Sequence, residues 1–538
     1  MRNKISTKAA LWLLAGASGV LMSIPWLVPH TGLVALIGLV PLLLADYIAS
    51  GAKVKRFWIW HYSSFVLWNA LTTFWVCNAT VGGGIFAVLA NSLQMSVVFG
   101  FFRLSKKRFS GILPYLFLVF FWIAWERWYM VQAQISWPWL VLGNAFARSI
   151  RSVQWYEFTG TLGGSLWIWL SNLGIFWLMV SVLEGSYFRW KRFAKWSSVI
   201  AVMLVIALPY AASAHIWHHF TEDSEGTVDV VIAQPNFDPY QKFKSMTQEQ
   251  QNEVLISQFS EAADPSFEGL LIGPETFTSD IFLNDIQDSG TWTAFSQFLK
   301  TRPGADLLFG ASTYEFFKQA EAPSILARRY GGGWLENRNT AFCTDGTGRY
   351  DIFHKSKLVV GVEMTPYPKL FVPLDDKLGG LMGRCIGQPE ITALNYVGSD
   401  STAVPFGCAI CYESVYPEYC TGYVKAGARF MTIITNDAWW GDTPGYRQHA
   451  SYASLRAIEL RRDIARCGNT GISGIINQRG EYLSETPWWE RTTLSGKVNL
   501  SDRRTFFVEH GDITGRVSTF AFLLLFAWLI VSLFIRRR

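Results

Sequence analysis

Val404-Pro405-Phe406-Gly407-Cys408-Ala409-Ile410-Cys411-Tyr412-Glu413 is an apolar run that stops abruptly at Cys-Tyr-Glu. A run of this length, bounded by Pro and Gly, reads as a buried strand. A cysteine at the end of such a strand, followed by a tight turn, presents its sulfur at the rim of a sheet, where a nucleophile is wanted. Free cysteine is also among the most buried residue types, and on this stretch alone a structural cysteine is the simpler reading. Chelation by Cys408 and Cys411 is a weak alternative. There is no second Cys pair nearby, and on a strand the two would point to opposite faces. The sequence therefore gives no reason to expect a metal or a cofactor.

Two further segments change the weighting: Gly273-Pro274-Glu275-Thr276 and His354-Lys355-Ser356-Lys357-Leu358. Each follows a predicted strand at the same kind of polar break. Around them, residues 227–233, 269–272, 306–311 and 430–435 read as strands. Residues 247–262, 291–300 and 448–462 have helical spacing. Hairpins are predicted across Asp345-Gly346-Thr347-Gly348 and across Gln478-Arg479-Gly480. Residues 364–390 read as long and irregular, a candidate lipid-facing lid. Strands alternating with helices and hairpins imply a layered α/β domain.

Outside this region the composition shifts. The chain has 538 residues, half of them hydrophobic and only 16% charged, whereas about a quarter is usual for soluble proteins. The apolar excess lies in eight runs: 9–27, 32–48, 57–76, 84–102, 112–125, 160–183, 196–214 and 517–535. Most approach the roughly 20 residues that cross a bilayer. Basic clusters fall at the N-terminus, after runs two, four and six, and at the C-terminus. An even number of crossings separates them, so all lie on one side, which the positive-inside rule makes cytoplasmic. The expected organisation is a seven-span bundle (1–216), an outer domain (217–515), and an eighth helix with a basic tail (516–538). The net charge of +6 sits in membrane loops and does not suggest nucleic-acid binding. Seven cysteines, an odd count without repeated spacing, give no disulfide framework. Glu126 and Arg127 interrupt the fifth run, as a functional pair or as headgroup-facing charges.

In this order, Glu275, Lys355 and Cys411 resemble the Glu-Lys-Cys triad of the nitrilase, or carbon–nitrogen hydrolase, superfamily. Asn436-Asp437-Ala438-Trp439-Trp440 and Arg466-Cys467-Gly468-Asn469-Thr470-Gly471-Ile472-Ser473 extend the match over residues 228–499. The resemblance implies an αββα sandwich. A nitrilase-like domain behind seven spans and ahead of one resembles the apolipoprotein N-acyltransferase family. Trp137-Pro138-Trp139 and Tyr156-Glu157-Phe158-Thr159-Gly160 also look familial.

That resemblance implies transfer of a fatty acyl chain from a phospholipid to the N-terminal diacylglyceryl-cysteine of an apolipoprotein, through a Cys411 thioester. It implies a bacterial inner membrane, with the catalytic domain on the periplasmic side. Glu275 would be the base, with Lys355 and the Tyr412 N–H stabilising the oxyanion. Glu363 and Glu413 would support them, and Phe243, Asn339, Trp439, Trp440 and Trp139 are possible substrate contacts. The sequence departs from the family pattern at Gly273, at Val360-Gly361-Val362 and at Phe243. The competing readings are a membrane-tethered amidase or nitrilase and a non-enzymatic scaffold.

Overall fold

The computed structural model describes residues 6–399 and 401–534. The Phe243 side chain, expected at the substrate site, lies outside the described residues, as do the terminal basic residues Arg2, Lys4 and Arg536-Arg537-Arg538. The chain divides into two compact units. One holds the residues before 134, Trp137–Phe220 and those from 510 on. The other holds Gln134–Ser136 and Thr221–Glu509.

In the first unit, six helical segments among the described residues are long and apolar enough to cross a membrane: Thr7–Leu27, Gly32–Gly51, Val81–Ser105, Thr161–Leu183, Arg192–His219 and Ile513–Phe534. The other two expected spans are also helical. Trp58–Thr73 has 16 residues, short of the roughly 20 a crossing needs. Leu113–Val131 ends in a Trp- and Tyr-rich turn that contains Glu126 and Arg127.

Buried polar groups hold this unit. The Gly32–Gly51 segment breaks near Leu39, where water is not available to complete the ladder. The Asn172 carboxamide replaces the missing bonds. Its Oδ1 accepts from Leu39 N–H and Val40 N–H (2.8 and 3.0 Å), and its Nδ2 donates to the Ala35 carbonyl (2.8 Å). Asp46 takes Arg103 at 3.0 Å and Lys106 at 2.5 Å. Glu126 is fully buried rather than facing headgroups, and accepts from the Trp122 indole (3.0 Å) and Leu142 N–H (2.8 Å). Trp139 is buried between Trp75 and Trp137, with ring centroids 4.9 and 5.1 Å away.

The second unit contains two sheets. The eight-stranded one runs β14 (Thr492–Asn499), β1 (Thr227–Gln234), β2 (Gly269–Ile272), β4 (Ala305–Phe317), β6 (Gly333–Thr344), β5 (Arg328–Tyr330). On its flank, β3 (Thr278–Phe282) pairs with β4 and β7 (Tyr350–His354) with β6. The six-stranded one runs β13 (Tyr482–Glu485), β12 (Gly474–Ile476), β11 (Ile464–Gly468), β10 (Phe430–Thr435), β9 (Ala403–Ile410), β8 (Leu394–Val397).

Side chains on a strand alternate between faces, and the apolar residues of β1 separate accordingly. Val230 and Ile232 join Ile272, Leu308, Phe406, Ile410 and Ile433 in one core, between the sheets. Val231 and Ala233 join Leu271, Leu307 and Phe309 in another, under Leu255 and Phe259 of the helix Gln248–Ala262 and Phe295 of the helix Gly290–Leu299. Helices Pro417–Lys425 and Pro444–Leu460 contribute Tyr423, Val424, Ala453 and Ala457 against the second sheet. The result is the helix–sheet–sheet–helix sandwich expected from the sequence.

Strand direction places the functional segments. β2 runs parallel to β4, while β4, β6 and β7 alternate, so β2 and β7 end toward the same edge. Glu275 and Lys355 follow those two ends. In the second sheet β9 and β10 are parallel, and Cys411 and Asp437 follow theirs. This is the carboxyl-end placement common to parallel sheets.

Gly310 on β4 lies against the Glu275 turn. A Cβ there would stand 2.7 Å from Glu275 Cα and 2.7 Å from Thr276 N. Gly310→Ala should therefore destabilise the second unit by about 1–3 kcal/mol, as overpacking does. The check is a lowered midpoint of thermal unfolding for the purified protein. An unchanged midpoint would mean that the turn yields freely.

Candidate active site

The Glu275 turn is laced to β4. Gly273 N–H donates to the Leu308 carbonyl (2.7 Å), Gly310 N–H to the Pro274 carbonyl (3.0 Å), and Phe277 N–H to the Gly310 carbonyl (2.8 Å). Thr276 has φ +44°, which is rare for a β-branched residue. Lys242 holds it there, its ammonium donating to the Thr276 and Phe277 carbonyls at 2.8 and 2.5 Å. Burial pulls the Lys242 pKa down to about 7. Sequence reasoning passed over Lys242, because a single lysine in a loop reads as surface.

Lys355 begins the loop after β7, and its N–H donates to the Asn339 carbonyl (2.8 Å). Its Nζ lies 2.9 Å from Glu275 Oε1 and 2.9 Å from Glu363 Oε1. Asn339 Nδ2 donates to the same two oxygens, each at 2.8 Å. A buried carboxylate and a half-buried one, which would repel one another, thus share two donors. The second Glu363 oxygen accepts from Val359 N–H (2.7 Å). Burial opposes the Lys355 charge, but Glu275, Glu363 and Cys411 outweigh it and raise its pKa well above an ordinary lysine's. The side chain is a fixed ammonium. Asn339, expected to touch substrate, braces the two carboxylates.

Cys411 directly follows β9 and has φ +51°, a conformation that costs roughly 1–3 kcal/mol and persists only where the surroundings impose it. Burial, then the Glu275 charge, push its thiol well above the usual range, while Lys355 pulls the other way. The resting sulfur therefore keeps its proton. Cys408, one strand turn earlier, is buried core, and burial raises its thiol to about 12.

Glu413 ties the Lys355 and Cys411 segments together. One carboxylate oxygen accepts from Ser356 N–H (2.7 Å), Lys357 N–H (3.1 Å) and the Tyr419 hydroxyl (2.7 Å). The other accepts from Ile410 N–H (2.9 Å) and the Tyr423 hydroxyl (3.0 Å). Tyr412 is buried, edge-on to Tyr416 at 5.2 Å. Trp439 is 40% exposed and edge-on to Tyr240, whereas Trp440 packs edge-on against His449 at 5.6 Å. Trp139 belongs to the first unit. His449, absent from the sequence reading, proves to sit directly behind Cys411.

The carbon–nitrogen hydrolase family profile matches residues 246–506, most of the two-sheet unit. The profile of the apolipoprotein N-acyltransferase N-terminal domain matches residues 18–174. An apolipoprotein N-acyltransferase of Chlorobaculum tepidum is 30% identical over 509 residues, 93% of this chain and 93% of that protein. One from Geobacter metallireducens is 27% identical over 516 residues, 93% of this chain and 92% of that protein. The chain belongs to the apolipoprotein N-acyltransferase family. Among solved structures, an amidase of the nitrilase superfamily from Nesterenkonia aligns with a TM-score of 0.36 at 16% identity. That alignment covers 54% of this chain and 95% of the amidase.

Glu413→Gln would turn an amide N–H₂ toward groups that are themselves donors. An unmet buried donor costs about 1–3 kcal/mol, so the variant should unfold at a lower temperature than the parent. It should also lose activity, because the Lys355 loop is no longer tied to the end of β9. Wild-type stability in Glu413→Gln would show that the carboxylate is not the tie.

Proposed function

We propose that this protein transfers an acyl chain from a membrane phospholipid to the N-terminal amine of a diacylglyceryl-modified apolipoprotein, with Cys411 as the acyl carrier. The observation that carries the reading is the Lys355 ammonium, 2.9 Å from both Glu275 and Glu363, in the same electrostatic field as the Cys411 thiol. Family membership supplies the substrate class.

Cys411 Sγ attacks the ester carbonyl as its proton passes to Glu275. The oxyanion is met by the Lys355 ammonium and the Tyr412 N–H. The tetrahedral intermediate collapses, Glu275 returns the proton to the departing lysophospholipid oxygen, and a thioester remains. The apolipoprotein amine then attacks, Glu275 takes a proton from the nitrogen, and Cys411 leaves and is reprotonated. Moving the thiol proton to Glu275 leaves the net charge of the site unchanged, so a buried thiol with a raised pKa can still react. The thioester-to-amide step is downhill and needs no nucleotide.

The lipid surface is reached by the second unit itself. The helix Pro368–Lys377, within the segment expected to be irregular, and the residues around it expose Tyr367, Leu370, Leu374, Leu378 and Leu381. Leu370, Leu374 and Leu378 are spaced by four and form one stripe. Returning such a stripe to lipid gains about 0.8 kcal/mol per methylene covered. The distribution of basic loops supports a periplasmic position for this unit, with seven spans before it and one after it in the inner membrane.

Incubation with phospholipid labelled in its acyl chain should yield a hydroxylamine-sensitive adduct on the parent protein and on Cys408→Ala, and none on Cys411→Ala. Equal loss in both cysteine variants, with normal folding, would overturn the assignment of Cys411. Every native cysteine is buried or half-buried, so sidedness is read from Glu249→Cys at an exposed position. A membrane-impermeant maleimide should label it in intact spheroplasts. Labelling only after lysis would reverse the topology.

A further inference from the structure

Cys411 is held from behind by a charged network that the reaction above does not use. Asp437 follows β10 and is fully buried. Its Oδ2 lies 2.6 Å from Arg466 Nη2 on β11, and its Oδ1 lies 2.8 Å from His449 Nδ1. The Thr435 hydroxyl donates to Oδ1 at 2.9 Å. Arg466, also fully buried, donates to the Ile472 carbonyl as well. Room for the Asp437 carboxylate is kept by Gly471, whose φ is +138° and where a Cβ would come within 3.0 Å of Oδ2.

The other ring nitrogen of His449 faces the nucleophile's backbone. Nε2 lies 3.2 Å from the Cys411 carbonyl oxygen and 3.1 Å from Ser414 Oγ, and the Ser414 hydroxyl donates to that same carbonyl at 2.7 Å. The Cys411 carbonyl and the Tyr412 N–H belong to one planar peptide unit and point in opposite directions. Whatever fixes the carbonyl also fixes the N–H. A donor on the oxygen, the Ser414 hydroxyl and, when both ring nitrogens carry protons, His449 Nε2–H, polarises the same peptide, which strengthens its N–H as a donor at the far end.

We propose that His449, held by Asp437 and Arg466, is a positioning residue that orients and polarises the Cys411–Tyr412 peptide, so that the Tyr412 N–H faces the oxyanion of the acyl-transfer intermediate. Ser414 is the second holder of the same carbonyl. The network also accounts for the left-handed backbone at Cys411, which its buried contacts fix in place. Retaining a fully buried Asp–Arg–His cluster is costly. Its place behind the reacting peptide gives that cost a chemical return. The inference rests on Cys411 being the acyl-accepting nucleophile.

The test separates steps that pass through an oxyanion from steps that do not. Acylation by a p-nitrophenyl ester forms a tetrahedral oxyanion whatever the natural acyl donor is. Alkylation of Cys411 by iodoacetamide does not. In His449→Gln the amide nitrogen replaces Nε2 and can still reach the Cys411 carbonyl. In His449→Asn it replaces Nδ1 and can reach only Asp437. The burst of nitrophenolate should be slower by about 10²–10³ in His449→Asn, the usual effect of losing one oxyanion donor. In His449→Gln it should be slowed by less than about tenfold, and alkylation should match the parent in both variants.

Equal bursts in the Gln and Asn variants would overturn the proposal. So would alkylation falling in step with acylation, which would mark His449 as scaffold. If His449→Asn does not fold, Ser414→Ala decides: a slower burst with unchanged alkylation supports the proposal, and an unchanged burst sinks it. A parent protein that gives the burst but no phospholipid adduct would remove the proposed acyl donor and leave the role of His449 standing.

Discussion

One buried ammonium sets the terms for the second unit. Without Lys355, Glu275 and Glu363 would face one another with no cation between them. With it, and with the Asn339 amide bridging the same two oxygens, both carboxylates are held on shared donors. The price of that arrangement is rigidity. A cation between two anions tolerates little displacement, and the surrounding contacts are there to prevent it. Gly310 lets the Glu275 turn lie flat on β4, Lys242 secures the carbonyls just beyond it, and Glu413 links the loop after β7 to the end of β9.

The first unit follows the same rule in a drier setting. Where a spanning segment breaks, Asn172 supplies an acceptor and a donor to the exposed backbone. At the buried Asp46 carboxylate two cations meet it, and at Glu126 an indole and a backbone N–H do. In both units buried polar side chains serve the backbone at breaks in regular structure, Asn172 at Leu39 and Glu413 at Ser356 and Lys357. They are what allows the chain to turn without water.

Much of this was legible in the sequence, for identifiable reasons. The strands Gly269–Ile272 and Phe430–Thr435 fall where short apolar runs placed them, because central parallel strands are buried on both faces and show no alternation to misread. Glu275, Lys355 and Cys411 stood out because each breaks an apolar run. What was missed has equally physical causes. β4 runs to Phe317, beyond the apolar stretch, since its second half is sustained by pairing with β6 rather than by burial. β14 gave no signal because its edge position leaves it half-exposed and mixed. Lys242 and His449 act through backbone carbonyls brought close by the fold, and spacing along the chain holds no trace of such contacts. The short helix Pro368–Lys377 was hidden by its own surface, whose leucines face outward and so break the expected amphipathic sense.

That outward stripe has a practical meaning for handling the molecule. Tyr367 and the four leucines from 370 to 381 offer any surfactant a landing place on the segment whose flank bonds to the Glu363 loop. On the proposed reaction, detergent in micelles would compete with the lipid donor for that surface, and apparent turnover would depend on their mole ratio. Without detergent or lipid, that exposed apolar face would meet water and favour aggregation. Reconstitution into a bilayer is the setting in which its kinetics can be compared between laboratories.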